Sequence, residues 1–183
     1  MSLRPCLPPR LSLVCSFCLF GLAACAEDEE PETFDPDAVI AEAVDYEANY
    51  VRLDLDGVPT AHDSGGMVVA RMWANEAGAE VFRTLDPDDP TQMVEMPRGA
   101  VFVKENYDLD GNPLDFMQVL AKFEDGYYPD GNDWFSALIQ RDGTPLQGRI
   151  GKGPEITFCV DCHSSMGKNT DFIIGLPADQ LAP

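Results

Sequence analysis

The chain has 183 residues, 45% of them hydrophobic, with 32 Asp and Glu against 12 Lys and Arg, for a formal charge of −20. Such an acidic balance excludes nucleic acid and anionic lipid as partners for its surface, since phosphates recruit basic patches. A basic redox protein or a small neutral molecule is the partner chemistry that remains.

Arg4 and Arg10 open the chain and an uncharged apolar run follows, from Leu11 to Ala24. The run is too short and too N-terminal for an ordinary membrane span and has the layout of a secretory signal over residues 1–24. It closes on Leu22-Ala23-Ala24-Cys25, which is similar to the lipobox of bacterial lipoproteins and predicts lipid on Cys25. An ordinary signal cleaved near Ala24 or Ala26, with Cys25 left free, is the alternative. A lipoprotein of this kind is expected on the periplasmic side of a Gram-negative membrane, held by its lipid anchor alone. Ala26, where an Asp would mark inner-membrane retention, favours the outer membrane. Residues 25–38 are acidic and lack apolar periodicity, and so read as a tether. Residues 39–183, about 145 in number, suffice for one domain with one core.

Asp35-Pro36 offers an N-cap and a proline at the first helical position, and Val39, Ile40, Ala43 and Val44 recur at helical spacing, so a helix is predicted over 36–49. Residues 67–74 (MVVARMWA) read as a strand. A short helix follows from Asn75 and ends at Asp86–Pro90. Residues 99–107 and 113–123 read as strands joined through Asp110-Gly111, and Trp134–Arg141 as a third before the turn at Asp142-Gly143. The Asp-rich stretch from Asp108 fails the calcium-loop pattern because position six is Pro113. His62 falls in a polar segment read as a loop. The fold class expected is mainly β (α+β), an antiparallel sheet with two or three helices.

The most specific pattern comes last. Cys159-Val160-Asp161-Cys162-His163 is a C-x-x-C-H motif, which in an exported chain reads as covalent attachment of haem c. Two thiols spaced in this way reach the two vinyl groups of one porphyrin edge, and the adjacent His163 supplies the proximal iron ligand. A redox dithiol or half of a zinc site are the alternatives. With Cys6, Cys15 and Cys18 in the leader and Cys25 lipidated, these two are the remaining thiols of the mature chain.

Three further segments accompany the motif. Arg98–Glu105 (RGAVFVKE), Asp133-Trp134-Phe135 with Asp142-Gly143, and Cys159–His163 with Asp171-Phe172 resemble, in order and spacing, the strands and haem motif of cytochrome P-460 proteins. Val69–Asn75 (VARMWAN) is similar to that family's first core strand. The resemblance covers roughly residues 60–175. It implies a mono-haem c-type domain, largely antiparallel β and often dimeric, with an open distal site. It also implies that Lys104 lies at the porphyrin edge, where hydroxylamine-oxidising members form an extra covalent bond. Alternation independently puts Phe102, Lys104 and Asn106 on one strand face, whereas a strand lysine is ordinarily one that snorkels to water.

The resemblance points to oxidation of hydroxylamine or nitric oxide, with an electron-accepting partner protein. Lys104 and Glu155 are the candidate catalytic residues, Glu155 as a proton acceptor. Cys159, Cys162, His163 and Lys104 are the haem-binding candidates, and His163 the iron ligand. Two alternatives stand beside it: a cytochrome c′-β-like protein binding a diatomic gas, and an electron-transfer cytochrome with a second axial ligand. Phe102, Phe116, Phe123 and Phe135 are the candidates for an apolar distal cap, and homodimerisation is left open.

Overall fold

A computed structural model describes residues 34–62 and 66–183. The leader, Cys25 and all but the end of the tether lie outside these residues, as do the side chains of residues 61–66. Among the described residues no helix is long and apolar enough to cross a membrane.

The frame is a seven-stranded antiparallel sheet, with β1 (Val51–Arg52), β2 (Val58–His62), β3 (Gly66–Ala74), β4 (Val101–Tyr107), β5 (Pro113–Lys122), β6 (Trp134–Ile139) and β7 (Pro145–Gly151). From β3 to β7 each strand pairs with the next in sequence, a meander, while β1 and β2 lie end to end along the outer edge of β3. The turns are those the sequence offers. Asp108 accepts from the backbone N–H groups of Asp110 and Asn112, and Gly111 takes a positive φ of 84°. Gly143 does the same between β6 and β7 with φ 88°, a conformation an L side chain resists.

Helix α1 (Pro36–Val44) starts where its signals fall. Asp35 accepts from the Asp37 N–H, and Pro36 occupies the first turn. The predicted helix over 36–49 is interrupted at Asp45, and its last turn is a separate α2 (Tyr46–Asn49). Helix α3 (Glu76–Phe82) is capped by Asn75, whose Oδ1 accepts from Gly78 and Val101 while its Nδ2 donates to Gly99. One amide therefore ties the start of α3 to the start of β4. Helix α4 (Thr157–Met166) carries the C-x-x-C-H motif.

Strand alternation sorts the sheet into two faces. Val101, Val103, Val119, Phe123, Phe135 and Ile139 pack under α1, Tyr46 and Tyr50. The Phe123 and Phe135 rings stack at 5.2 Å. Phe102, Trp134 and Leu120 face the other way, toward α3, Met96 and the C-terminal segment with Ile173 and Leu176. The expected antiparallel α+β architecture is thus present, with four α-helices among the described residues where two or three were expected.

Three strands escape the sequence reading, the two-residue β1 among them. The segment holding His62 is β2 and not a loop, because its backbone pairs with β3 as far as His62 opposite Gly66. Strand β7 has two glycines and no apolar alternation, and β6 supplies its pairing.

Candidate functional site

The second face of the sheet does not close fully against the helices. Between it and α4 lies a cleft of about 240 Å³, open to solvent at its mouth. That is just below the usual range of small-molecule and cofactor sites, roughly 300–1,000 Å³. The walls are mainly apolar, with Met72, Phe82, Phe102 and Leu120 among them. Polar contributions come from Thr60, Lys104, Gln118 and Ser136 on the sheet.

Cys159, Cys162 and His163 enter from α4 and line the same cleft. Their i, i+3 and i+4 spacing places them on one helix face. Cys159 is half-buried and Cys162 exposed, and neither forms a disulfide. Among the described residues no group of three or more His, Cys, Asp or Glu converges as a metal site. The two thiols and the imidazole thus border one space without closing on a point, which a tetrahedral zinc site would require.

His163 is held from behind. Its Nδ1 lies 2.8 Å from the backbone carbonyl oxygen of Phe172. A carbonyl only accepts, so the hydrogen bond puts the ring proton on Nδ1 and leaves the Nε2 lone pair for a ligand. Burial holds His163 below the ordinary imidazole range, opposed by the Phe172 hydrogen bond and reinforced by the charge of Lys104. Burial thus favours the neutral ring, the form in which imidazole ligates a metal.

Lys104 reaches the cleft from the middle of the sheet. It lies opposite Met72 on β3 and Gln118 on β5. Burial lowers its pKa, and electrostatic interaction with Cys162 and Cys159 offsets part of that effect. A lowered pKa favours the neutral, nucleophilic amine. Asn106 is fully buried next to it and donates from Nδ2 to Gln118 Oε1 at 2.7 Å.

The structure separates the other candidates. Glu155 is exposed in a 3-10 turn (Pro154–Ile156) and does not line the cleft. Of the four phenylalanines named as caps, only Phe102 does, and Phe123 and Phe135 are packed on the opposite face. Phe82 lines the cleft although no sequence signal singled it out, because α3 alone decides which face it meets. Met72 and Met166 also line it.

Comparison with protein-family models and with curated proteins found no match.

Proposed function

We propose that the chain is a mono-haem c-type protein resembling cytochrome P-460, with an open distal site for oxidation of hydroxylamine or nitric oxide. One observation supports this most: Lys104 from the sheet meets Cys159, Cys162 and His163 from α4 around one apolar cleft. The residues suit a porphyrin. The cleft is apolar for the macrocycle, its thiols border it without closing on an ion, and His163 keeps Nε2 available.

In this reading the Cys159 and Cys162 thiols would hold the haem by adding across its two vinyl groups, each S–H placing its sulfur on one carbon and its hydrogen on the other. His163 would bind iron through Nε2, with its Nδ1–H donated to the Phe172 carbonyl oxygen. The haem, when bound, supplies an iron centre that takes electrons from the substrate and passes them to a partner protein. Phe82, Phe102 and Leu120, which line the cleft, would shield a bound haem from water, and Lys104 would present its amine to it. Bonding Lys104 Nζ to a ring carbon would remove two electrons and two protons, which a two-electron oxidant would accept. Export as a lipoprotein through Cys25 completes the reading.

A second reading is a gas-binding protein of the cytochrome c′-β type. What favours it is that no Asp or Glu lines the cleft among the described residues. A proton acceptor for hydroxylamine is then left to Lys104 or to solvent. The two readings part on turnover. The purified holoprotein should bind carbon monoxide when reduced and oxidise hydroxylamine with an artificial electron acceptor, and Lys104→Ala should abolish that turnover. Carbon monoxide binding without turnover would leave gas binding. A six-coordinate, carbon monoxide-insensitive spectrum with a methionine signature would make it an electron carrier, with Met72 the first ligand to test.

A further inference from the structure

Behind the Phe172 carbonyl lies a polar cluster that the reading above does not use. Asp171 is 4% exposed, and every polar atom of its carboxylate is occupied. Lys122 Nζ donates to Oδ1 at 2.8 Å, and Asn132 Nδ2 to the same oxygen. The Met96 N–H donates to Oδ2 at 2.8 Å. Trp134 Nε1 donates to the Asp171 backbone carbonyl at 2.9 Å and reaches Oδ1 at 3.2 Å. Lys122 is itself buried and donates its second hydrogen bond to the Asn132 carbonyl.

The backbone at this point is one that local preference would not choose. Asp171 and Phe172 are consecutive left-handed residues, with φ of 55° and 67°. Aspartate tolerates that region, but a bulky phenylalanine does so only when its surroundings over-determine it. The turn also presses on the end of α4. The Phe172 N–H donates to the Gly167 carbonyl at 2.7 Å, and a Cβ on Gly167 would lie 2.8 Å from the Phe172 carbonyl carbon. The carbonyl that meets His163 is thus fixed from both sides.

We propose that the buried Lys122–Asp171 pair, with Trp134, is a positioning device for the axial ligand. It holds the Asp171-Phe172 turn in its left-handed form, so that the Phe172 carbonyl meets the His163 Nδ1–H and sets the ring's tautomer and rotation. The inference rests on the haem reading. It assigns a role to Lys122 and Asp171, which line no part of the cleft, and to Trp134, which borders a small space beside Cys159 and His163; all three act through His163 and are positioning residues. Their effect is on how strongly His163 donates to iron, because a hydrogen bond from Nδ1–H raises the basicity of Nε2.

The test uses the holoprotein, with the iron–His163 stretching band of the reduced form and the midpoint potential as readouts. Trp134→Phe keeps an aromatic ring beside Phe102 and removes both indole contacts to Asp171. Asp171→Asn keeps an acceptor and removes the charge. Both should move the band to lower wavenumber and raise the potential, with haem still attached through two thioethers. Phe135→Leu, on the opposite face of the sheet, should lower stability and leave both readouts in place. If Asp171→Asn yields no holoprotein, Trp134→Phe decides alone. Variants that keep haem and match the wild-type band and potential would overturn the inference and leave the haem reading intact. A wild-type protein with no haem c would overturn the reading itself.

Discussion

Lys104 lies directly opposite Gln118 in the β4–β5 pairing, two strands in from the β2 edge of the sheet. From there its amine has the cleft to enter, and the sheet edge where strand lysines snorkel to water lies away from it. Its position therefore has an electrostatic cost that a surface lysine does not carry.

That cost sets a pH dependence. The folded-state pKa of Lys104 is depressed, with burial the largest cause, while the unfolded chain keeps the ordinary value near 10.4. Between the two values the unfolded state binds more protons, so stability rises with pH across that window and is lowest below it. Lys104→Met should stabilise the haem-free chain at pH 7, with the gain shrinking toward pH 10.5. Urea unfolding at the two pH values measures it, and a gain independent of pH would assign the effect to packing instead.

Lys122 and Asp171 form a pair with side-chain exposures of 9% and 2%. Removing one partner of a buried pair leaves a charge without compensation, at about 3–5 kcal/mol. Lys122→Met should fall near the lower end, because Asp171 keeps the Met96, Asn132 and Trp134 donors. The shift in urea midpoint at constant slope is the measurement, and a neutral result would mean the pair is solvated.

Phe135 is fully buried on the face away from the cleft and stacks on Phe123. Phe135→Ala should cost about 3–5 kcal/mol of stability and leave ligand binding in the cleft unchanged. Phe102→Ala should do the reverse in emphasis, speeding carbon monoxide binding by enlarging the cleft. Stopped-flow binding rates for the two variants separate the two faces.

The sequence carries the strands wherever alternation is strong, as in β3 and β4, where Phe102 and Lys104 come out on the cleft side and Val101 on the other. It carries the helix starts too, because Asp35 and Asn75 act within three residues of themselves. It does not carry β7 or β2, whose pairing is supplied by a neighbouring strand and not by their own residues. Nor does it show that Lys122 meets Asp171, 49 positions away. The same holds for the cleft: the C-x-x-C-H motif is legible as three residues, but its meeting with Lys104 depends on where the sheet puts α4. Asp45, which splits the predicted first helix, gives no breaking signal of its own.

Glu155 is exposed and away from the cleft, so Glu155→Gln should leave hydroxylamine turnover within about twofold of wild type, far short of the 10²–10⁴-fold usual for a general acid–base group. A loss of a hundredfold would mean that the turn Pro154–Ile156 folds over the cleft during turnover.

The most direct test of the account is peptide mass spectrometry of the chain matured in a host that assembles c-type cytochromes. The peptide spanning Cys159–His163 should carry one haem through two thioether bonds, with no free thiol, and a second peptide containing Lys104 should be joined to the same haem if the protein is of the hydroxylamine-oxidising type. Recovery of that peptide with Cys159 and Cys162 unmodified, or joined to each other as a disulfide, would contradict the account.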